Sequence, residues 1–415
     1  MHWFTAVFLL ALALSTSARL WLALRHARHV AANREAVPAQ FSERVPLADH
    51  QKAADYTIAK TRLGMMETLV AAAVLIGFTL GGGLQLLSDA WERVFPPSGY
   101  LHGIALIVSA ALISAVIDLP FSLYGTFGIE ARFGFNRTSF ALFFVDLAKQ
   151  MLLGAVLGVP LVFFALWLMA RMGAMWWLYV WLAWMAFNLL VMTIYPTVIA
   201  PLFNKFSPLD DAELRNRIES LLAKCGFRSK GLFVMDSSRR SSHGNAYFTG
   251  LGAAKRIVLF DTLISRLAPP EIEAVLAHEL GHFSGHHIWK RMALLFCVSL
   301  AFLWVLGWLM GQDWFYDALG ARSHGTAMAL VLFFMTAPVF AFLLQPLASL
   351  YSRRHEFEAD AYAARHADAG DLARALVKLY RDNAATLTPD PLHSAFYDSH
   401  PPAVLRIARL QASRH

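Results

Sequence analysis

The sequence predicts a mainly α, polytopic membrane protein whose small α+β domain lies outside the bilayer. Three observations predict it. The 415 residues are 57% hydrophobic and only 16% charged, with mean hydropathy +0.47, whereas soluble domains run nearer half apolar and a quarter charged. The apolar residues fall into seven runs, each near the roughly 20 residues that a membrane helix needs. Two further stretches carry the shorter periods of soluble helices and strands.

The runs lie near 2–24, 66–88, 102–125, 148–171, 175–200, 291–311 and 326–350. The first lacks a basic leader and continues through "ARLWLAL", so it reads as an uncleaved span rather than a signal peptide. Pro120 and Pro196 sit near span ends, where a helix tolerates them. Basic residues gather between Arg25 and Arg62, around Arg132 and Arg137, and through 201–290, while the intervening loops hold only Arg93, Arg171 and Arg322. The rule that basic loops face the cytoplasm then puts the N-terminus outside and the C-terminus inside. The net charge of +7 is explained by these loops. No basic arm or aromatic-laced basic patch is present, which excludes nucleic acid as a partner and leaves the lipid bilayer. Cys225 and Cys297 form no C-x-x-C pair, so neither a disulfide framework nor a thiolate metal site is implied.

The polar stretches supply the second domain. "DDAELRNRIESLLAKCGF" has helical spacing with acidic residues at its start. "GLFVMD" and "KRIVLFDTL" are β-branched and aromatic, and read as strands. "APPEIEAVLAHELGHFSGHH" reads as a helix begun at proline. "SRRHEFEADAYAARH" and "DLARALVKLYRDNA" read as two more helices after the seventh span. The expected layout is five membrane helices in 1–200, a first cytoplasmic half-domain in 201–290, two membrane helices in 291–350 and a second half-domain in 351–415. No internal repeat is evident.

His278 and His282 flank Glu279 in the order H-E-x-x-H. On a helix the two imidazoles lie on one face about 40° apart, able to share one zinc ion, with the glutamate beside them as a base. Gly285 continues the pattern of a longer zinc motif, but Ile288 stands where its third histidine belongs. A carboxylate from a second helix would complete a His₂Glu site. Glu356 and Asp360 share a helical face at i and i+4, the latter able to bond a ligand imidazole from behind, whereas Glu358 lies about 200° round from Glu356. His286 and His287 read as interfacial residues where the helix runs into the sixth span at Trp289. His400, before two prolines, reads on its own as a surface histidine in a turn.

Together "SSHGNAYFTGLGAAKRIVLFDTL", "AHELGHFSGHH", "SRRHEFEADAYA", "SAFYDSHPPAVLRI" and "FGFNRTS" at 133–139 resemble, in order, the motifs of the CAAX prenyl protease 1 family. These are integral-membrane zinc endopeptidases of the yeast sterile-mutant type, related to bacterial heat-shock membrane proteases. The resemblance implies a gluzincin-type protease domain with one Zn²⁺ on His278, His282 and Glu356, and Glu279 as general base. It implies supporting roles for Asp360 and Arg406, an oxyanion-stabilising His400, and substrate peptide lying along Asn245, Ala246, Tyr247 and Phe248. It also implies spans that enclose a water-filled chamber.

The expected substrate is a peptide or protein, prenylated and trimmed of its last three residues as the family name describes. Arg outnumbers Lys roughly three to one and Ala is abundant, a composition typical of a bacterial gene. That points to a bacterial inner membrane (the ER membrane for a eukaryotic chain) and raises quality control of membrane proteins as the alternative. A remoter reading, a seven-span receptor or transporter with structural zinc, predicts ionisable residues along a path, with Asp118 and Asp146 the candidates.

Overall fold

The computed structural model describes residues 2–97, 99–227, 229, 231–249 and 256–412. Residues 250–255, which belong to the "FTGLGAAK" stretch, lie outside the described residues. Among the described residues, seven helical segments are long and apolar enough to cross a membrane. The first five contain α1 (Trp3–Ala32), α2 (Leu47–Phe78), α3 (Tyr100–Leu123), α4 (Phe140–Arg171) and α5 (Trp176–Ile194). Their outward faces carry exposed Leu14, Val116, Leu152 and Leu182, an inside-out pattern that suits lipid rather than water.

The second span departs from expectation. It starts nearly 20 residues earlier than 66, because "ADHQKAADYTIAKTR" continues α2 as a polar helical extension. It stops at Phe78 because the Gly81–Gly83 run breaks it: Gly82 has φ 74°, and a Cβ on Gly83 would lie 2.8 Å from the Gly77 carbonyl oxygen. Pro196 lies within a π-helical turn, Tyr195–Ile199, and a second π-helical turn, Tyr124–Glu130, follows the helix that contains Pro120. Between α1, α2, α3 and residues 335–339 of the seventh span lies a cavity of about 480 Å³, to which Arg19, Glu67 and Asp118 contribute charge.

The polar domain begins with strand β1 (Phe206–Pro208) and α6 (Ala212–Lys224), whose first turn is capped by Asp211 Oδ1 accepting from the Leu214 N–H at 3.0 Å. Strands β2 (Leu232–Met235), β3 (Ala246–Thr249) and β4 (Arg256–Phe260) complete a four-stranded sheet of order β1-β2-β4-β3. Only β2 and β4 run parallel, with Leu232 opposite Ile257. One face packs on α6 and on α7 (Pro269–Ser284) through Leu214, Ile218, Ile257, Leu259, Ile272 and Leu276.

The chain then crosses in α8 (His287–Leu309) and α9 (Thr326–Ala341) and re-emerges as α10 (Gln345–His366). It closes with α11 (Ala369–Asp382), α12 (Pro391–Tyr397) and α13 (Ala403–Ala412). The "FGFNRTS" loop ties this domain to the spans. Asn136 bridges Ser241, and Arg240 donates to both carboxylate oxygens of Asp146 on α4, at 2.8 and 2.9 Å. Asp146 is thus an anchor between the two parts of the molecule.

Candidate metal centre

α7 starts at two prolines whose missing amide hydrogens would have had no intrahelical partner. Glu271 Oε2 accepts from the Ala268 N–H at 2.8 Å and receives Lys378 Nζ at 2.7 Å, which fixes the first turn. Three turns on, Gly281 permits backbone contact with α10: a Cβ there would lie 2.8 Å from Ala359 Cα and 3.0 Å from Ala359 O. That close crossing is why Glu356, three residues before Ala359, reaches the α7 histidines.

His278 Nε2 lies 3.5 Å from Glu356 Oε2 and His282 Nε2 lies 3.3 Å from Glu356 Oε1. A tetrahedral zinc with bonds of about 2.0–2.1 Å has ligand-to-ligand edges of about 3.3–3.4 Å, and here one ligand atom from each of the three residues lies within 4.8 Å of the others, close enough to share one ion. The chemistry of the donors fits too. His278 uses Nδ1 toward Asp360 Oδ1 at 2.8 Å, leaving Nε2 free, and the buried Glu356 Oε2 has no hydrogen-bond partner. Asp360 is itself gripped by buried Arg406, Nε to Oδ2 at 2.8 Å and Nη2 to Oδ1 at 2.6 Å.

The field of the site follows from these neighbours. Burial disfavours a charged His278, but the Asp360 hydrogen bond and the Glu356 carboxylate 3.5 Å away outweigh it and raise its pKa to about 9, the mark of a place that favours a cation. Burial likewise opposes the Arg406 charge and Asp360 more than restores it, so the guanidinium stays ionised. Burial pushes the Glu279 carboxyl above the usual range, with His278 and His282 pulling the other way. No hydrogen bond among the described residues engages that carboxylate, so it is free to exchange a proton.

The surface reading of His400 is half right. Its side chain is 61% exposed, yet Nε2 lies 3.5 Å from Glu356 Oε2. Partial desolvation, with Arg406 nearby, pushes its pKa below the ordinary range against the pull of Glu356, so the ring is neutral near pH 7. Ser399 Oγ lies 3.1 Å from Nδ1, and when the hydroxyl donates there, Nε2–H becomes a donor aimed into the site.

β3 forms the edge of the sheet beside α7, its Phe248 ring 5.4 Å from Phe283. Ala246 and Phe248 are buried in the core, so of the four expected contact residues these two offer backbone only. Asn245 is exposed and precedes the strand, and the half-buried Tyr247 points to the sheet's other face.

His287 overturns the interfacial expectation. It is fully buried, because His286 adopts φ 55° and turns the chain back between α7 and α8. Its Nδ1 lies 3.0 Å from His282 Nδ1 and its Nε2 lies 3.0 Å from Glu358 Oε2. His286 remains exposed, as expected. The doubled histidine held no signal of this, since the partner Glu358 lies 71 residues downstream.

Comparison with known proteins agrees with the geometry. Residues 26–205 match the family described as "CAAX prenyl protease N-terminal, five membrane helices", and residues 208–414 match "Peptidase family M48". A CAAX prenyl protease 1 homolog of Arabidopsis thaliana is 40% identical over 315 residues, covering 75% of this chain and 74% of that protein. The chain belongs to the CAAX prenyl protease 1 family. The Caenorhabditis elegans homolog is 33% identical over 443 residues, and the match covers 98% of both chains. The crystal structure of S. mikatae Ste24p superposes with TM-score 0.89 at 29% identity, covering 99% of both chains.

The protein is therefore a multi-pass membrane zinc metalloprotease of this family. That membership excludes the receptor or transporter reading, although Asp118 does line a cavity among the spans.

Proposed function

We propose that His278, His282 and Glu356 hold one Zn²⁺ per chain and that Glu279 is the general base of peptide hydrolysis. The observation that carries this is the convergence of two imidazole Nε2 atoms on one buried carboxylate, with an unengaged glutamate next to them. When bound, zinc supplies a Lewis acid that makes water more acidic and polarises a carbonyl. Glu279 takes a proton from the attacking water and returns it to the leaving amine. Neutral His400 donates Nε2–H to the developing oxyanion. Asp360, gripped by Arg406, holds the Nδ1 proton of His278 and so aims its Nε2. The β3 edge gives an extended substrate main-chain hydrogen bonds, with the side chain of Asn245 at its start.

Family membership supports a prenylated peptide as substrate and removal of its C-terminal tripeptide. Membrane-protein quality control, with unprenylated substrates, is the alternative that composition favours. The loop charges support a cytoplasmic protease domain and C-terminus, in a bacterial inner membrane or, for a eukaryotic chain, the ER membrane. The domain layout we infer is five membrane helices in 1–200, two in 291–350, and a protease domain assembled from 201–290 and 351–415.

The test is cleavage of a quenched peptide, farnesylated and not, by purified protein beside Glu279→Gln. Activity should fall by roughly 10²–10⁴-fold in the variant with zinc content unchanged. Equal activity in both proteins would sink the mechanism, and the ratio between the two peptides separates the substrate readings.

A further inference from the structure

The reaction proposed above leaves unused a polar chain that starts beside the metal site at the buried His287 and ends at the surface. It runs from His282 Nδ1 to His287 Nδ1 at 3.0 Å, from His287 Nε2 to Glu358 Oε2 at 3.0 Å, and from Arg354 Nε to Glu358 Oε1 at 3.1 Å. We infer that His287 and Glu358 are positioning residues for the metal site: they hold the proton of His282 at Nδ1 and turn its Nε2 lone pair toward Glu356. The inference rests on the proposed function in that His282 must be a ligand.

The sense of each hydrogen bond is then forced. Two imidazole nitrogens 3.0 Å apart need one donor and one acceptor. A ligand His282 keeps its lone pair at Nε2, so its proton sits at Nδ1 and is donated to His287 Nδ1. His287, accepting there, carries its own proton at Nε2 and donates it to the Glu358 carboxylate. With neutral rings no other assignment satisfies both bonds.

The local backbone is shaped around this chain. A left-handed conformation is uncommon for a residue with a side chain, yet His286 adopts φ 55°, which swings His287 back under His282. Gly285 leaves room for it, since a Cβ there would collide with His287 Nε2. The His355 ring covers the other side, stacked at 4.0 Å and 7°.

His287, His355 and Glu358 also bring their ligand atoms within 4.8 Å of one another, as a second metal site would require. The ring geometry argues against it. Imidazole lone pairs lie in the ring plane, and two rings stacked face to face at 7° offer no point that lies in both planes. Both nitrogens of His287 are also already bonded.

The test uses the purified full chain, with zinc stoichiometry, zinc affinity by chelator competition, and the visible absorption of the Co²⁺-substituted protein. Glu358→Ala and His287→Gln should each weaken zinc binding by roughly 10–100-fold and shift the cobalt spectrum. Glu358→Asp should recover part of the loss. Arg354→Ala, which removes a neighbour outside the chain of imidazoles, should change little. Glu358 is 42% exposed, so its substitution leaves the metal-free protein folded, and unfolding curves check this.

Unchanged affinity and cobalt spectrum in Glu358→Ala and His287→Gln would overturn the inference. So would two zinc ions per wild-type chain falling to one in Glu358→Ala, which would make the cluster a second metal site. Full zinc binding by His282→Ala would overturn the ligand assignment itself, and that failure is recognisable because it does not involve Glu358.

Discussion

The two histidines of the metal centre are steadied in different ways. His278 leans directly on Asp360, which Arg406 grips with two short hydrogen bonds, and all three are buried. His282 leans on a second imidazole, and that chain ends at a carboxylate 42% exposed beside an arginine 79% exposed. The first arrangement ties the ligand to the fold itself, since α7, α10 and α13 all meet at it. The second ties it to a surface pair that solvent screens. One branch therefore couples metal binding to stability, and the other tunes metal binding almost alone.

The sharpest break between them should come from the buried pair. Asp360→Asn leaves the buried Arg406 facing only Glu356 Oε2 at 3.9 Å, and Arg406→Ala leaves the buried Asp360 with His278 alone. Either should cost about 3–5 kcal/mol of stability, as removal of one member of a buried ion pair does. Zinc affinity should fall with it. Glu358→Gln should leave the unfolding midpoint nearly unchanged, because an exposed pair is worth about 0–1 kcal/mol. Denaturant unfolding of the metal-free proteins in detergent checks both, and equal losses from the two branches would erase the distinction.

Gly281 within α7 and Gly285 just past its end separate the branches more finely. At Gly281 a methyl group meets the backbone of α10, which cannot move without parting the helices. Gly281→Ala should cost about 1–3 kcal/mol and draw Glu356 away from the histidines, so zinc is lost along with stability. At Gly285 the three atoms nearest the methyl group all belong to the His287 side chain, and φ −74° is ordinary helical backbone. Gly285→Ala should displace His287 and weaken zinc with little change in unfolding. Zinc titration and melting of the pair decide it, and loss of stability in both variants would count against a side-chain device at Gly285.

What the sequence made legible follows the same division between local and distant causes. Hydropathy alone located all seven spans, because a membrane helix is specified by its own composition. The α7 helix and the acidic start of α6 were likewise readable from adjacent residues. The break of the second span was also written locally, in Gly81–Gly83, but a long apolar run outweighed it. The three residues of β1 carry too little pattern to register as a strand. His287 and His400 were out of reach for a different reason. Each takes its environment from α10, so its place depends on tertiary packing that no local period encodes. The family motifs recovered His400 because they join distant segments, and they carried nothing about His287.

The smallest effect separates the branches by pH. In the metal-free protein His278 has its pKa raised from 6.5 to about 9, chiefly by Asp360 and Glu356 against the opposing effect of burial. A raised histidine pKa stabilises the fold fully below 6.5, and that contribution is lost as pH climbs through about 9. Zinc must displace this proton, so across the same window His278 alone should weaken zinc binding by about tenfold for each pH unit of acidification. The direct carboxylate is the cause, so Asp360→Asn should flatten the dependence in whatever fraction of the protein stays folded. Glu358→Gln should shift the whole curve to weaker binding and leave its slope intact, since Glu358 touches His287 and not His278. Chelator competition between pH 6.5 and 9 distinguishes the two variants. If Glu358→Gln flattened the slope as much as Asp360→Asn, the imidazole chain would be acting on the charge of the whole centre rather than on the orientation of one ligand.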